Sequence, residues 1–255
     1  MSKLPDRPGG GRGADSGGRV VPASDAVSAF LRKVESLPQP VRPASGRRGR
    51  LIFAVDATAS RQPSWDRACH LQAEMFLATR DLGGLAVQLA YWRGHREFAA
   101  TPFLTEAEEL ARRMSGVQCL GGQTQVLRAL RHAKAETAKE RVHALVLVGD
   151  AFEEEVDPAC HEAGELRLRG TSVFCFHEGT DPRAGNAFRQ IAQVGGGAYA
   201  PFDSRSADTL RALLRAVAVY AAGGHAALVR LPGAAAQAIA GQLPPPPSRS
   251  TSSGR

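Results

Sequence analysis

Leu51-Ile52-Phe53-Ala54-Val55-Asp56-Ala57-Thr58-Ala59-Ser60 decides how this 255-residue chain is read. Five apolar residues run straight into a carboxylate, and hydroxyls follow at two-residue spacing, Thr58 and Ser60. A short unbroken apolar run marks a strand covered on both faces, as in the parallel sheet of an α/β domain. In such sheets ligands gather beyond the carboxyl ends of the strands. A carboxylate and two hydroxyls at that edge form an oxygen-only donor set, which hard cations such as Mg²⁺ or Mn²⁺ prefer.

Outward from that strand the pattern alternates regularly. A helix is expected over 64–79, then strand 85–92, which turns at Arg93-Gly94 into a second extended run, 95–100. Helices follow at 106–114 and 123–138, then strand 143–149, and Asp157-Pro158 caps a helix running to 169 with Pro at its first position. Strand 172–177, helix 183–194, strand 198–202 and helix 206–222 complete the domain. Strands alternating with helices imply an α/β, doubly wound, mostly parallel sheet with helices on both faces, Rossmann-like in its layering. The tight turn at Gly94 adds one antiparallel edge strand. Beyond Gly223, residues 226–231 read as an added edge strand and 233–243 as a weak helix.

Asp56-x-Thr58-x-Ser60 after a buried strand resembles the metal ion-dependent adhesion site of von Willebrand factor A (VWA) domains, whose usual form is Asp-x-Ser-x-Ser. The chain is identified as an intracellular, bacterial-type member of that family. The resemblance extends to Gly121-Gly122-Gln123-Thr124 before a helix, to Gly149-Asp150 at the end of the strand over 143–148, and to Ile191-Ala192-Gln193-Val194-Gly195-Gly196-Gly197-Ala198-Tyr199 as the late helix, Gly-rich turn and aromatic strand. It covers residues 50–222. It implies that Thr58, Ser60 and Thr124 lend hydroxyls to a Mg²⁺ or Mn²⁺ ion, with Asp56 and Asp150 coordinating directly or through water. It implies too that an acidic residue of a protein partner completes the shell. Two departures stand out. Thr58 replaces the commoner Ser and adds a methyl that crowds the site, and Gln123 is inserted between the Gly pair and Thr124. Neither Ser60 nor Thr124 is expected in the core.

Glu153, Glu154 and Glu155 follow Asp150 in the next loop. They read either as a solvated charge run or as a negative rim that concentrates the cation or selects a basic partner. His177 and Glu178 end the next strand at the same edge and join Glu153, Glu154 and Glu155 as rim candidates for partner binding.

An apolar content of 43% supports a packed core, and the positive charge lies outside it. Residues 1–50 hold ten Lys/Arg against four Asp/Glu; residues 51–222 are slightly acidic; residues 223–255 hold three Arg and no acid. Four segments are expected: a disordered basic stretch over 1–48 with a short helix at 24–37, a VWA-like domain over 49–223, an extension over 224–243, and a disordered Pro/Ser-rich tail over 244–255. The beginning of the chain has no apolar h-region, and no apolar run reads as long enough to span a bilayer. Cys69, Cys119, Cys160 and Cys175 show no Cys-x-x-Cys spacing and read as thiols in a reducing compartment. A cytoplasmic protein, monomeric on its own and away from membranes, is the expectation. Zinc finds no finger-like spacing in Cys69-His70, Cys160-His161 or Cys175-Phe176-His177.

Enzyme readings meet obstacles. Thr58 stands where a haloacid dehalogenase-type phosphatase needs its second carboxylate, and there is neither a phosphate loop nor a Gly-x-Ser-x-Gly elbow. A metal-dependent phosphohydrolase remains an alternative, without an evident general base. Nucleic-acid binding through the basic tails is the other alternative, although those tails carry no interleaved aromatics for stacking. The reading reached is an interaction module rather than an enzyme.

Overall fold

The computed structural model describes residues 48–62, 65, 73–79, 84–203 and 207–244. The segments expected to be disordered and the helix expected at 24–37 lie outside these, as does Cys69.

Six strands form one sheet in the order β3-β2-β1-β4-β5-β6: β1 Gly49–Asp56, β2 Leu85–Arg93, β3 Glu97–Ala100, β4 Ala144–Gly149, β5 Ser172–Glu178 and β6 Tyr199–Phe202. All neighbours are parallel except β2 and β3, which form the expected edge hairpin. Seven helices are seen among the described residues: α1 Ala73–Leu77, α2 Ala107–Ser115, α3 Val126–Lys139, α4 Val156–Leu168, α5 Pro182–Val194, α6 Ala207–Arg230 and α7 Ala234–Ala240.

Side chains along β1 alternate between two cores, because successive residues of a strand face opposite sides of the sheet. Leu51, Phe53 and Val55 join α6 and α7 on one face through Leu213, Leu214, Val217 and Ile239. Ile52 and Ala54 join Leu130, Leu166, Phe188 and Ile191 from α3, α4 and α5 on the other. With both faces covered, the strand carries no polar residue between Leu51 and Val55. Each fully buried Leu, Ile or Phe contributes about 1.5–3 kcal/mol relative to exposure, so the register is firmly held. That register pairs Val55 with Val148 and Gly149 with His177, which brings the ends of β1, β4 and β5 to one edge.

The C-terminal part departs from expectation. Residues 226–231 are not a strand. Helix α6 runs on to Arg230 across a break at Gly224, whose φ of 68° is the left-handed conformation glycine tolerates. The boundary expected at 223 therefore falls inside a helix. The extension packs on the same core: Leu228, Ile239 and Leu243 are fully buried, and His225 Nε2 lies 2.9 Å from the Ala240 carbonyl. Helix α6 is long and apolar enough to cross a membrane by length and composition, contrary to the sequence reading. Its apolar composition has a structural cause, since 67% of its most apolar stretch is buried inside the fold.

Two further boundaries move. Helix α4 starts at Val156 with Glu155 in the cap position, so Asp157-Pro158 lies within its first turn. Of the helix expected over 64–79, residues 65 and 73–79 are described, Ala73–Leu77 form α1, and the buried Trp65 indole donates to the Met114 carbonyl at 3.1 Å.

Candidate metal centre

Immediately after β1 the chain closes on itself. The Thr58 amide donates to Asp56 Oδ1 at 2.7 Å, the local turn by which an Asp side chain captures the backbone two residues on. The Arg61 amide then donates to the Thr58 carbonyl at 2.9 Å, which winds residues Ala59–Arg61 into a 3₁₀ turn. The turn leaves Ser60 Oγ 3.3 Å from Thr58 Oγ1. Adjacent oxygen ligands on an octahedral ion at 2.0–2.1 Å stand about 3 Å apart, so this pair is spaced to share one cation.

The same turn drives Arg61 inward, where it is 1% exposed and forms an ion pair with Glu178 at the end of β5. The loop after β1 is thereby tied to a strand two places away in the sheet. Sequence reasoning assigned no role to Arg61.

The second loop is hung from β1 and the hairpin. The Leu120 amide donates to the Ala57 carbonyl at 3.1 Å, and its own carbonyl accepts from Gly94 at 3.3 Å. Gly122 lies so close to Gly94 that a Cβ there would stand 2.0 Å from the Gly94 oxygen, so only glycine fits. Thr124 follows, and it is buried, whereas the sequence reading placed it outside the core. Its amide donates to Glu153 Oε2 at 3.2 Å, and its Oγ1 accepts from the Glu153 amide at 3.1 Å. Glu154 turns in beside it, accepting from the Val126 and Leu127 amides at 2.5 and 3.1 Å. Helix α3 has no side-chain bond from its own cap residue, Gln125, so Glu154 satisfies its orphan amides and complements its positive end.

Asp150 follows Gly149 at the end of β4. A Cβ on Gly149 would lie 3.7 Å from that of Asp56, so the two strand ends are close. Asp56 Oδ2 and Asp150 Oδ1 are both buried without a hydrogen-bond partner. Burial pushes the Asp56 pKa up to about 6, and the Asp150 charge adds to the rise; hydrogen bonds from Thr58 and the positive charge of Arg61 oppose it. Buried carboxylate oxygens left unpaired are costly, and a divalent cation would satisfy both. The donor set is two carboxylates and three hydroxyls, which fits Mg²⁺ or Mn²⁺. Among the described residues no group of three or more His, Cys, Asp or Glu side chains is placed to hold a metal. A cation here would depend on the hydroxyls.

The rim differs from its sequence reading. His177 is 2% exposed, between the Phe188 and Tyr199 rings with Nδ1 3.3 Å from the Tyr199 hydroxyl, so burial removes it from any partner-facing rim. Glu178 is likewise buried, against Arg61. Glu154 is half-buried on α3, and only Glu153 and Glu155 are exposed.

No family profile matches the sequence, and no curated protein is similar to it. Solved structures are. Proximal thread matrix protein 1 of the mussel byssus, with its MIDAS motif occupied by zinc, matches at TM-score 0.52 and 17% identity over 70% of this chain and 47% of that one. The vWF domain of the type V pili tip protein Mfa5 from Porphyromonas gingivalis matches at TM-score 0.54 and 10% identity, over 69% of this chain and 95% of that one. The SpRpn10 VWA domain matches at 0.52 and 9% identity, over 63% and 90%. The chain thus spans about half the length of the mussel protein and most of the two isolated domains.

Proposed function

We propose that this chain, which has a von Willebrand factor A-type fold, is a divalent-cation-dependent protein-binding module and not an enzyme. The observation that carries the reading is the pair of buried, unpartnered oxygens on Asp56 and Asp150, beside the hydroxyls of Thr58 and Ser60. In this reading Asp56, Thr58, Ser60, Thr124 and Asp150 hold Mg²⁺ or Mn²⁺. A cation so bound supplies positive charge and a coordination position open to an acidic side chain of a partner protein. Asp56 Oδ1 is held by the Thr58 amide and keeps its other oxygen for the ion. Thr124 is oriented by Glu153, and Ser60, the most exposed of the five, borders the open position. The likeness to a structure with a zinc-occupied MIDAS motif supports a divalent ion of this kind. Free thiols at Cys160 and Cys175 accord with a cytoplasmic setting.

Co-purification from the native cytosol tests the reading. The parent captures its partner in Mg²⁺ and releases it on chelation. Ser60→Ala, which removes a hydroxyl whose hydrogen-bond partner among the described residues is Thr58, folds normally and captures less. Equal capture by the parent, the chelated parent and Ser60→Ala refutes the cation bridge.

A further inference from the structure

The two flanks of Thr124 carry opposite charge. The basic one keeps two exposed arginines without an acidic partner among the described residues, although Arg128 Nη1 also donates to Gln125 Oε1 at 3.0 Å and its guanidinium lies 5.2 Å from the Phe98 ring centre. On one side Glu153 and Glu154 bind backbone amides of the Thr124 loop and α3. On the other stands the β2–β3 turn, whose Gly94 is in backbone contact with Gly122. This turn holds Arg93, His95 and Arg96, and α3 adds Arg128 beside it: Arg128 Nη1 donates to the Arg96 carbonyl at 2.8 Å, and Gln125 Nε2 to the Glu97 carbonyl at 3.0 Å. Glu97 neutralises Arg93, with Nε–Oε2 at 2.8 Å. No acidic group pairs with Arg96 or Arg128 among the described residues, and both are exposed.

The backbone adds an independent sign. Arg96 has φ 61°, and no other non-glycine among the described residues has positive φ. With Arg93 paired to Glu97, the hairpin loop has three residues, and its last position is left-handed, the place where glycine is normally used. The turn geometry asks for glycine and the sequence supplies arginine. Strain held at a surface position points to a use for the side chain.

We infer that the β2–β3 turn is the specificity surface of the site, with Arg96 and Arg128 receiving further carboxylates of an acidic peptide segment whose first carboxylate completes the cation shell. This inference rests on the cation-bridge reading above. The partner segment is then a run of Asp and Glu rather than a lone acid. The basic turn draws it in by long-range attraction and sets its direction across the site, away from the Glu153 and Glu155 flank.

The test uses the full chain with two short Gly/Ser peptides, one carrying a single glutamate and the other a run of three acidic residues. In Mg²⁺ at low salt the parent binds the acidic run about three- to tenfold more tightly, the range expected of two exposed charge pairs. The preference falls away in Arg96→Gly/Arg128→Gln and in high salt. Arg96→Gly alone weakens it while melting no lower than the parent, because glycine relieves the left-handed strain. Equal binding of the two peptides in Mg²⁺, or a preference that survives in the double variant, overturns the inference and leaves the cation bridge standing. A preference that persists unchanged in chelator keeps the basic turn but refutes the bridge. Failure of both peptides to bind in Mg²⁺ sinks both ideas. An oligonucleotide held more tightly than the acidic run, and lost in Arg96→Gly, would show that the turn reads phosphates and overturn the assignment to acidic peptides.

Discussion

The two walls of the candidate site are built on opposite plans. Asp56, Thr58, Ser60 and Arg61 lie in one short turn, shaped by a bond from residue 58 to 56 and another from 61 to 58. The facing wall brings Thr124, Val126 and Leu127 to Glu153 and Glu154 across 27 to 29 positions of sequence. A local wall forms from its own backbone once β1 is in the sheet. The distant wall exists only when β4 and α3 are already packed, so it should be softer and more responsive to what binds.

Arg61 offers the hardest blow to this contrast, since its ion pair with Glu178 is a buried, long-range side-chain tie of the local wall. Removing one partner of a buried ion pair leaves the other charge uncompensated, which costs about 3–5 kcal/mol. Arg61→Ala should lose that much in urea unfolding, and Arg61→Met/Glu178→Leu should recover most of it. A loss below about 0.5 kcal/mol, the size of an ordinary surface change, would mean the turn stands without its anchor.

The Asp56 carboxyl gives a somewhat smaller effect with a definite sign. Its folded pKa is raised to about 6 from an ordinary 3.8. Between pH 4 and 6 the cation-free folded domain therefore binds more protons than the unfolded chain, and this group's contribution falls as pH rises through that window. The full loss is up to roughly 3 kcal/mol. Comparison of the parent with Asp56→Asn in chelator over pH 4–7 isolates the effect. The variant should gain on the parent as pH rises, and a constant difference would argue against a buried, uncompensated carboxylate.

The smallest effect belongs to the distant wall. Glu154→Ala strips α3 of its acceptors and should cost about 1–2 kcal/mol, in the range of a lost helix cap. Glu155→Ala, at an exposed position without a side-chain cap bond, should change stability by less than about 0.5 kcal/mol. Hydrogen exchange at Val126 and Leu127 sharpens the point, because these amides should open first in Glu154→Ala. Equal effects of the two substitutions would erase the distinction between the walls.

What the sequence made legible follows the same division. The β1, β4 and β5 runs are unbroken apolar stretches, and burial on both faces leaves that mark in any chain. Asp56, Thr58 and Ser60 are legible because their geometry is encoded within one turn. Arg61 and Glu178 are not, since a long-range ion pair leaves no periodic trace and an arginine after a loop motif reads as a solvated charge. Glu154 was read as part of an exposed acidic run because the amides it caps lie far away in sequence. Residues 226–231, Ala-Ala-Leu-Val-Arg-Leu, fit a strand or a helix equally by composition, and packing on the core decided for helix. Gly223-Gly224 read as a stop, whereas the left-handed Gly224 only bends the helix that continues beyond it.

The central claim is that the oxygens of Asp56 and Asp150, with their neighbouring hydroxyls, hold a divalent cation. Thermal unfolding of the parent and of Asp56→Asn, with Mg²⁺ titrated in and then chelated, tests it most directly. A ligand that binds only the folded state stabilises it by about 2.7 kcal/mol at one hundred times its Kd. The parent should melt higher with Mg²⁺ and return on chelation, while Asp56→Asn melts at one temperature throughout. An equal Mg²⁺-dependent rise in Asp56→Asn would contradict the account.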